Sequence, residues 1–236
     1  MFAALSKMIL FPAVIILLTV SVAIAAESSK ASATTATPVY KPPKRGAPAS
    51  RVGGGARGAE AGSLVLSVLA PEHTGWTAKD QPTLYWYISE PANTRVELTV
   101  IDDAAIAPLL ETHLEPPSKA GVQHLRLADH NVHLKEGMEY PWSVALVRDP
   151  GQRSQDIVAS GTLAYVKPSA ELKQKLTQVD KEALASIYAG EGYWYDAIES
   201  LSELIEAQPQ DKRLRELRAS LLEQVALPEV AEYDRK

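Results

Sequence analysis

Five histidines and a few paired aspartates are the side chains whose type and spacing admit chemistry. His130-Asn131-Val132-His133, with Asp129 beside it, brings two imidazoles and a carboxylate close together in sequence. A metal site there would need a third and a fourth ligand in defined geometry, so exposed turn histidines are the competing reading. Asp102-Asp103 and the pair Asp149/Asp156 have the residue type of acid–base catalysis. Aspartates beside Pro and Gly more commonly serve turns and caps. Arg45-Gly46-Ala47-Pro48 and Arg51-Val52-Gly53-Gly54-Gly55-Ala56-Arg57-Gly58 set a glycine run between arginines, an arrangement able to cradle an anion. The run lacks the Gly-Lys-Ser/Thr ending of a phosphate loop, and it neither follows a strand nor opens a helix. The chain contains neither a Gly-x-Ser-x-Gly nucleophile elbow nor a His-Glu-x-x-His pair. With no cysteine, disulfides, thiolate zinc sites and cysteine nucleophiles are excluded. No catalytic residue, metal ligand or cofactor is assigned, and a non-enzymatic role is expected.

The elements that must position these residues begin with an export signal. Lys7 precedes an apolar run from Met8 to Ile24, which ends in Ala23-Ile24-Ala25 before the polar Glu27-Ser28-Ser29-Lys30. A basic start, an apolar middle and small residues at the end fit a secretory signal peptide over 1–25. The rival is an uncleaved anchor, because Met8 to Ala26 approaches the roughly 20 residues that span a bilayer. Either way the remainder is expected outside the cytosol, in the periplasm or cell envelope.

Residues 26–61 are rich in Ala, Ser, Thr, Pro and Gly, with Tyr40 the only aromatic, and read as a flexible basic linker. From Gly62 onward there are 17 basic and 27 acidic residues. An acidic body argues against nucleic acid as the partner, since phosphate neutralisation needs a basic face.

Residues 62–167 read as short runs of β-formers separated by turn residues. Candidate strands are Leu64–Leu69, Thr83–Ile88, Arg95–Ile101, Leu109–Leu114, Val122–Leu127, Tyr140–Val147 and Asp156–Val166. Val96, Leu98 and Val100 share one face, as do Trp142, Val144 and Leu146. This pattern predicts an antiparallel β-sandwich, immunoglobulin- or fibronectin-like, pinned by Trp86 and Trp142. A sugar or peptide platform is the alternative use of those indoles.

At Pro168 the period becomes helical, giving an α+β chain. Leu172, Leu176, Val179, Ala183 and Ile187 form one stripe, and Trp194, Ala197, Ile198, Leu201, Leu204 and Ile205 a second. Leu214, Leu217, Leu221 and Val225 form a third, which Pro228 is expected to end, leaving 229–236 as a tail. Within 168–228, Ala185, Tyr188, Gly192, Tyr195, Ala197, Ile198, Leu201, Ile205 and Pro209 resemble one tetratricopeptide repeat. No second copy is found, so the helical unit is expected to dock on the sandwich or on a partner.

The chain also resembles the domain of unknown function 928 family of bacterial exported proteins. The likeness rests on the Arg45–Pro48 and Arg51–Gly58 motifs, Leu69-Ala70-Pro71-Glu72, Pro82-Thr83-Leu84-Tyr85-Trp86-Tyr87, Tyr140-Pro141-Trp142-Ser143, and Arg148-Asp149-Pro150 through Arg153-Ser154. It extends to the Trp-Tyr-Asp-Ala segment Trp194–Ala197 and covers about Lys44 to Leu227. Val147-Arg148 stands where relatives often carry a cysteine before Asp-Pro, so no thiol role carries over. The family implies no activity, but it gives the arginine–glycine segment more weight than a spacer.

Together these readings favour a non-catalytic module that binds an envelope protein or peptide. A structural accessory subunit of an envelope assembly is the alternative, and an enzyme acting on envelope glycans is third. The candidate partner contacts are Arg45, Arg51, Gly53, Gly54, Gly55 and Arg57 of the linker and Trp194 and Tyr195 of the helical part. Membrane contact is expected only through an uncleaved signal segment.

Overall fold

The computed structural model describes residues 37–43, 64–102 and 107–236. The expected signal segment, 1–25, and the arginine–glycine run lie outside the described residues. Among the described residues, no helix is long and apolar enough to cross a membrane.

Among the described residues, eight strands form two sheets. They are β1 (Leu66–Val68), β2 (Gly75–Thr77), β3 (Thr83–Ile88), β4 (Arg95–Val100), β5 (Leu110–Leu114), β6 (Gly121–Arg126), β7 (Glu139–Val147) and β8 (Ile157–Tyr165). The smaller sheet runs β1-β3-β6 and the larger β2-β8-β7-β4-β5. Alternation along β4 and β7 buries Val96, Leu98, Val100, Trp142, Val144 and Leu146 in the core. Trp86 belongs to the same core, so both indoles serve packing. The opposite face of the larger sheet carries Arg95, Thr99, Ser143 and Val158, partly or fully exposed.

One strand escapes the sequence pattern. Gly75-Trp76-Thr77 is too short to show a period, yet it pairs with Leu163–Tyr165 and does so in parallel, where only antiparallel strands were expected. A Cβ at position 75 would meet the Tyr195 ring at 2.8 Å, so glycine lets a helix lie against this edge.

Five helices follow: α1 (Ala170–Thr177), α2 (Lys181–Gly190), α3 (Trp194–Ala207), α4 (Lys212–Gln224) and α5 (Pro228–Arg235). The first expected stripe is divided between α1 and α2, because the Asp180 carboxylate accepts the Ala183 N–H and caps a new helix. Pro228 opens α5 where it was expected only to close α4, since proline is tolerated at the first helical position. Most of the expected tail is therefore helix, fixed by a buried ion pair between Arg218 and Asp234.

Strands and helices share one hydrophobic core within the compact unit Thr35–Lys236. β3 is buried at all six positions because helices as well as strands cover it, with Tyr87 packed on Tyr233 of α5.

Candidate functional site

The first turn of α3 joins the helices to both sheets. Trp194 Nε1 donates to the Leu69 carbonyl at 2.8 Å, from a fully buried indole. Tyr195 accepts from Trp142 Nε1 at 2.9 Å and donates to the Thr162 carbonyl at 3.1 Å. Asp196 Oδ2 accepts the Ala78 N–H at 2.8 Å, while its Oδ1 has no hydrogen-bond partner. Burial pushes the Asp196 carboxyl up to about 7, against the pull of the Ala78 N–H and the Lys79 ammonium. One turn on, Glu199 accepts from Thr83 Oγ1 and Lys79 Nζ, each at 2.7 Å. Trp194 and Tyr195, expected as partner contacts, are both buried, Tyr195 on Trp142 and Thr162 and Trp194 on the Leu69 carbonyl and the Tyr40 ring.

Against this joint lies a strap, residues 37–43, of sequence Thr-Pro-Val-Tyr-Lys-Pro-Pro. Its prolines hold φ near the extended range and carry no N–H, so few backbone donors need partners. Pro38 and Tyr40 face inward while Val39 and Lys41 face out, the alternation of an extended chain. Gln224, at the last residue of α4, reads the strap's main chain twice. Its Oε1 accepts the Tyr40 N–H at 2.8 Å and its Nε2 donates to the Pro38 carbonyl at 2.9 Å. The Lys41 N–H donates to the Ala189 carbonyl at the end of α2. Gly192, at φ +88°, permits the approach, because a Cβ there would lie 3.2 Å from the Lys41 carbonyl oxygen.

Tyr40 is the anchor. Its ring meets Trp194 edge-on at 4.9 Å and lies nearly parallel to His73. Its hydroxyl is hydrogen-bonded to His73 Nε2 at 2.9 Å. Burial pushes the phenol's pKa up, so it stays protonated at neutral pH. Beside the strap opens a cleft of about 290 Å³, lined by Tyr40, Pro42, Pro71, Glu72, His73, Gln224 and neighbours at the α4–α5 turn. That turn is closed by a Schellman arrangement, with Leu227 N–H on Leu222 O and Ala226 N–H on Glu223 O. Ala226 occupies the left-handed position at φ +57°, where glycine is usual. The cleft therefore offers apolar rings and prolines edged by polar side chains, the general lining of a ligand pocket.

A model of the family described as Domain of Unknown Function (DUF928) matches residues 52–234. The chain belongs to that family. The DUF928 match contains His73, Ala189, Gly192, Trp194 and Gln224 but begins after the strap. No curated protein matches the chain.

The other residues considered for chemistry are scattered. His133 Nδ1 lies 2.8 Å from Asp80 Oδ2 on the surface, and His130 is exposed in a short 3-10 turn. Among the described residues no three metal-ligating side chains converge. Asp149 accepts the Gly151 N–H in a turn, and Asp156 holds Arg153. Asp102 is buried, with Lys135 at 3.8 Å, and Asp103 lies outside the described residues. Arg45, Arg51, Gly53, Gly54, Gly55 and Arg57 also lie outside them.

Sequence reasoning passed over Tyr40, His73 and Gln224. The signal for Tyr40 was present, a lone aromatic between prolines in an otherwise small-residue segment. Gln224 is a common exposed residue at a helix end, and nothing in its neighbours distinguishes it.

Proposed function

We propose that this chain is an exported, non-catalytic module of the cell envelope that binds a protein or peptide at the strap cleft. The observation that carries the reading is the mode by which residues 37–43 are held. An extended backbone is gripped through its N–H and C=O groups and one aromatic side chain fills a pocket, which is how peptide-binding domains recognise extended segments. We read the two-sheet body as an immunoglobulin- or fibronectin-like sandwich and α2–α3 as a single tetratricopeptide-like unit docked on it. A structural accessory role, with the basic segment before Gly62 as a tether, is the second reading. The acid of the α3 joint does not favour catalysis, because Asp196 is buried away from the cleft.

The test is chemical crosslinking in native cells, followed by recovery of the tagged full chain and mass spectrometry, in parallel with a Gln224→Ala chain. One envelope protein recovered by the native chain, crosslinked near Glu72 or Gln224 and reduced at least several-fold by the variant, is the expected outcome. Equal recovery by both chains would move the contact elsewhere.

A further inference from the structure

We propose, resting on the binding reading above, that the groove is a receptor for extended peptides of the form Pro-Xaa-Tyr-Xaa-Pro from another protein, with the chain's own strap as the internal competitor.

The motif follows from which strap atoms touch the body. Pro38 and Tyr40 are buried, Val39 is 60% exposed, and Lys41 is exposed, so positions on either side of the tyrosine are unselected. Pro42, itself exposed, edges the open cleft and half-buried Pro43 lies beside Gly192, so the trailing prolines act through their extended backbone and not through a pocket. The remaining grip falls on main-chain groups at Pro38, Tyr40 and Lys41, which any sequence supplies. Specificity therefore concentrates in one tyrosine, its hydroxyl read by His73 and its ring by Trp194. The flanking prolines limit the entropy lost when the segment is bound.

Exchange is favoured by the way the strap is attached. It pairs with no strand, and its grip is two N–H donors, one carbonyl, and the Tyr40 ring and hydroxyl at the margin of the core, so its departure uncovers Trp194 but breaks no sheet pairing. The cleft runs along Tyr40 and Pro42, which lets an incoming chain engage before the strap departs. The family match includes the groove residues and not the strap, so the receptor is the part shared with the family model and the occupant is not.

The experiment uses a fluorescent peptide of sequence Ala-Thr-Pro-Val-Tyr-Lys-Pro-Pro-Lys, copied from residues 36–44, titrated by anisotropy against the full chain and its variants. Tyr40→Ala empties the anchor pocket while leaving the receptor intact, and is expected to bind the peptide at least tenfold more tightly than the native chain, which competes with itself. Adding Gln224→Ala to that variant, or replacing the peptide's tyrosine by alanine, should weaken binding at least tenfold. If Tyr40→Ala does not fold, Lys41→Pro, which removes the N–H bonded to the Ala189 carbonyl and fixes φ at that position, is titrated in its place. A folded variant that ignores the peptide, or native and variant chains with equal affinity, would overturn the proposal. Native dimers that dissociate on addition of peptide would assign the groove to a second copy's strap and overturn the partner assignment. Absence of peptide binding, with an envelope protein still recovered in the Gln224-dependent manner described above, would sink the competitor while leaving the binding reading in place.

Discussion

Two of the places where buried charge ties this molecule together are built on opposite principles. At α4–α5, Asp234 is fully buried and meets Arg218 in a two-pronged pair, at 2.7 and 2.6 Å, with Ser202 taking a further guanidinium N–H. At the α3 joint, Asp196 is as deeply buried but has a backbone N–H in place of a guanidinium, and one of its oxygens is left over. The first site matches its carboxylate with a guanidinium in a closed set of hydrogen bonds. The second moves towards neutrality, because burial, helped by nearby Glu199, outweighs the Ala78 N–H, the Lys79 ammonium and the Thr77 hydroxyl. One joint therefore rests on a geometrically matched ion pair, and the other carries a buried carboxyl whose proton uptake burial promotes.

The largest break in this comparison is Arg218→Ala. It strands Asp234 in the core and should cost about 3–5 kcal/mol by urea denaturation. Replacing Arg218 and Asp234 together by apolar residues of similar volume should cost far less, because the penalty lies in the unpaired charge. A double variant as unstable as the single one would show that shape, not charge, holds α5.

Next comes pH. Asp196 binds its proton more tightly folded than unfolded, so its contribution is fully present below about pH 4. It is lost at up to about 1.4 kcal/mol per pH unit as pH rises towards 7, then levels off. Asp196→Asn should flatten that slope and raise stability at pH 8 by about 2 kcal/mol or more, with little change at pH 4. Identical pH profiles for native and variant chains would contradict the contrast.

Smaller effects sharpen the packing side. Gly75→Ala pushes a methyl towards the Tyr195 ring and should cost about 1–3 kcal/mol in thermal unfolding. Ala226→Gly relieves a left-handed alanine at the cleft and should add up to about 1 kcal/mol.

The strands were legible because turn residues bound them and alternation marks their buried faces, as Val96, Leu98 and Val100 show. β2 was hidden, since three residues carry no period and its placement depends on Tyr195 packing over Gly75. The helical breaks at Gly190-Glu191-Gly192 and Pro209 were readable from backbone chemistry. The break before Asp180 was not, because the apolar stripe runs through it. The last helix was missed for a different reason. Glu229, Glu232, Asp234 and Arg235 look like a solvated tail until Arg218, far back in sequence, supplies a partner for Asp234. The candidate site suffered most, because Tyr40, His73 and Gln224 come from three distant segments and none belongs to a motif.

The central claim is that the strap cleft, not the polar face of the larger sheet, is where this chain meets its partner. The direct test places p-benzoylphenylalanine at Glu72, on the cleft, and in a second full-length chain at Val158, 41% exposed on that sheet face. Both are irradiated in native cells. The account predicts a discrete crosslinked protein from position 72 and only background from position 158. A discrete product from 158, with none from 72, would contradict it.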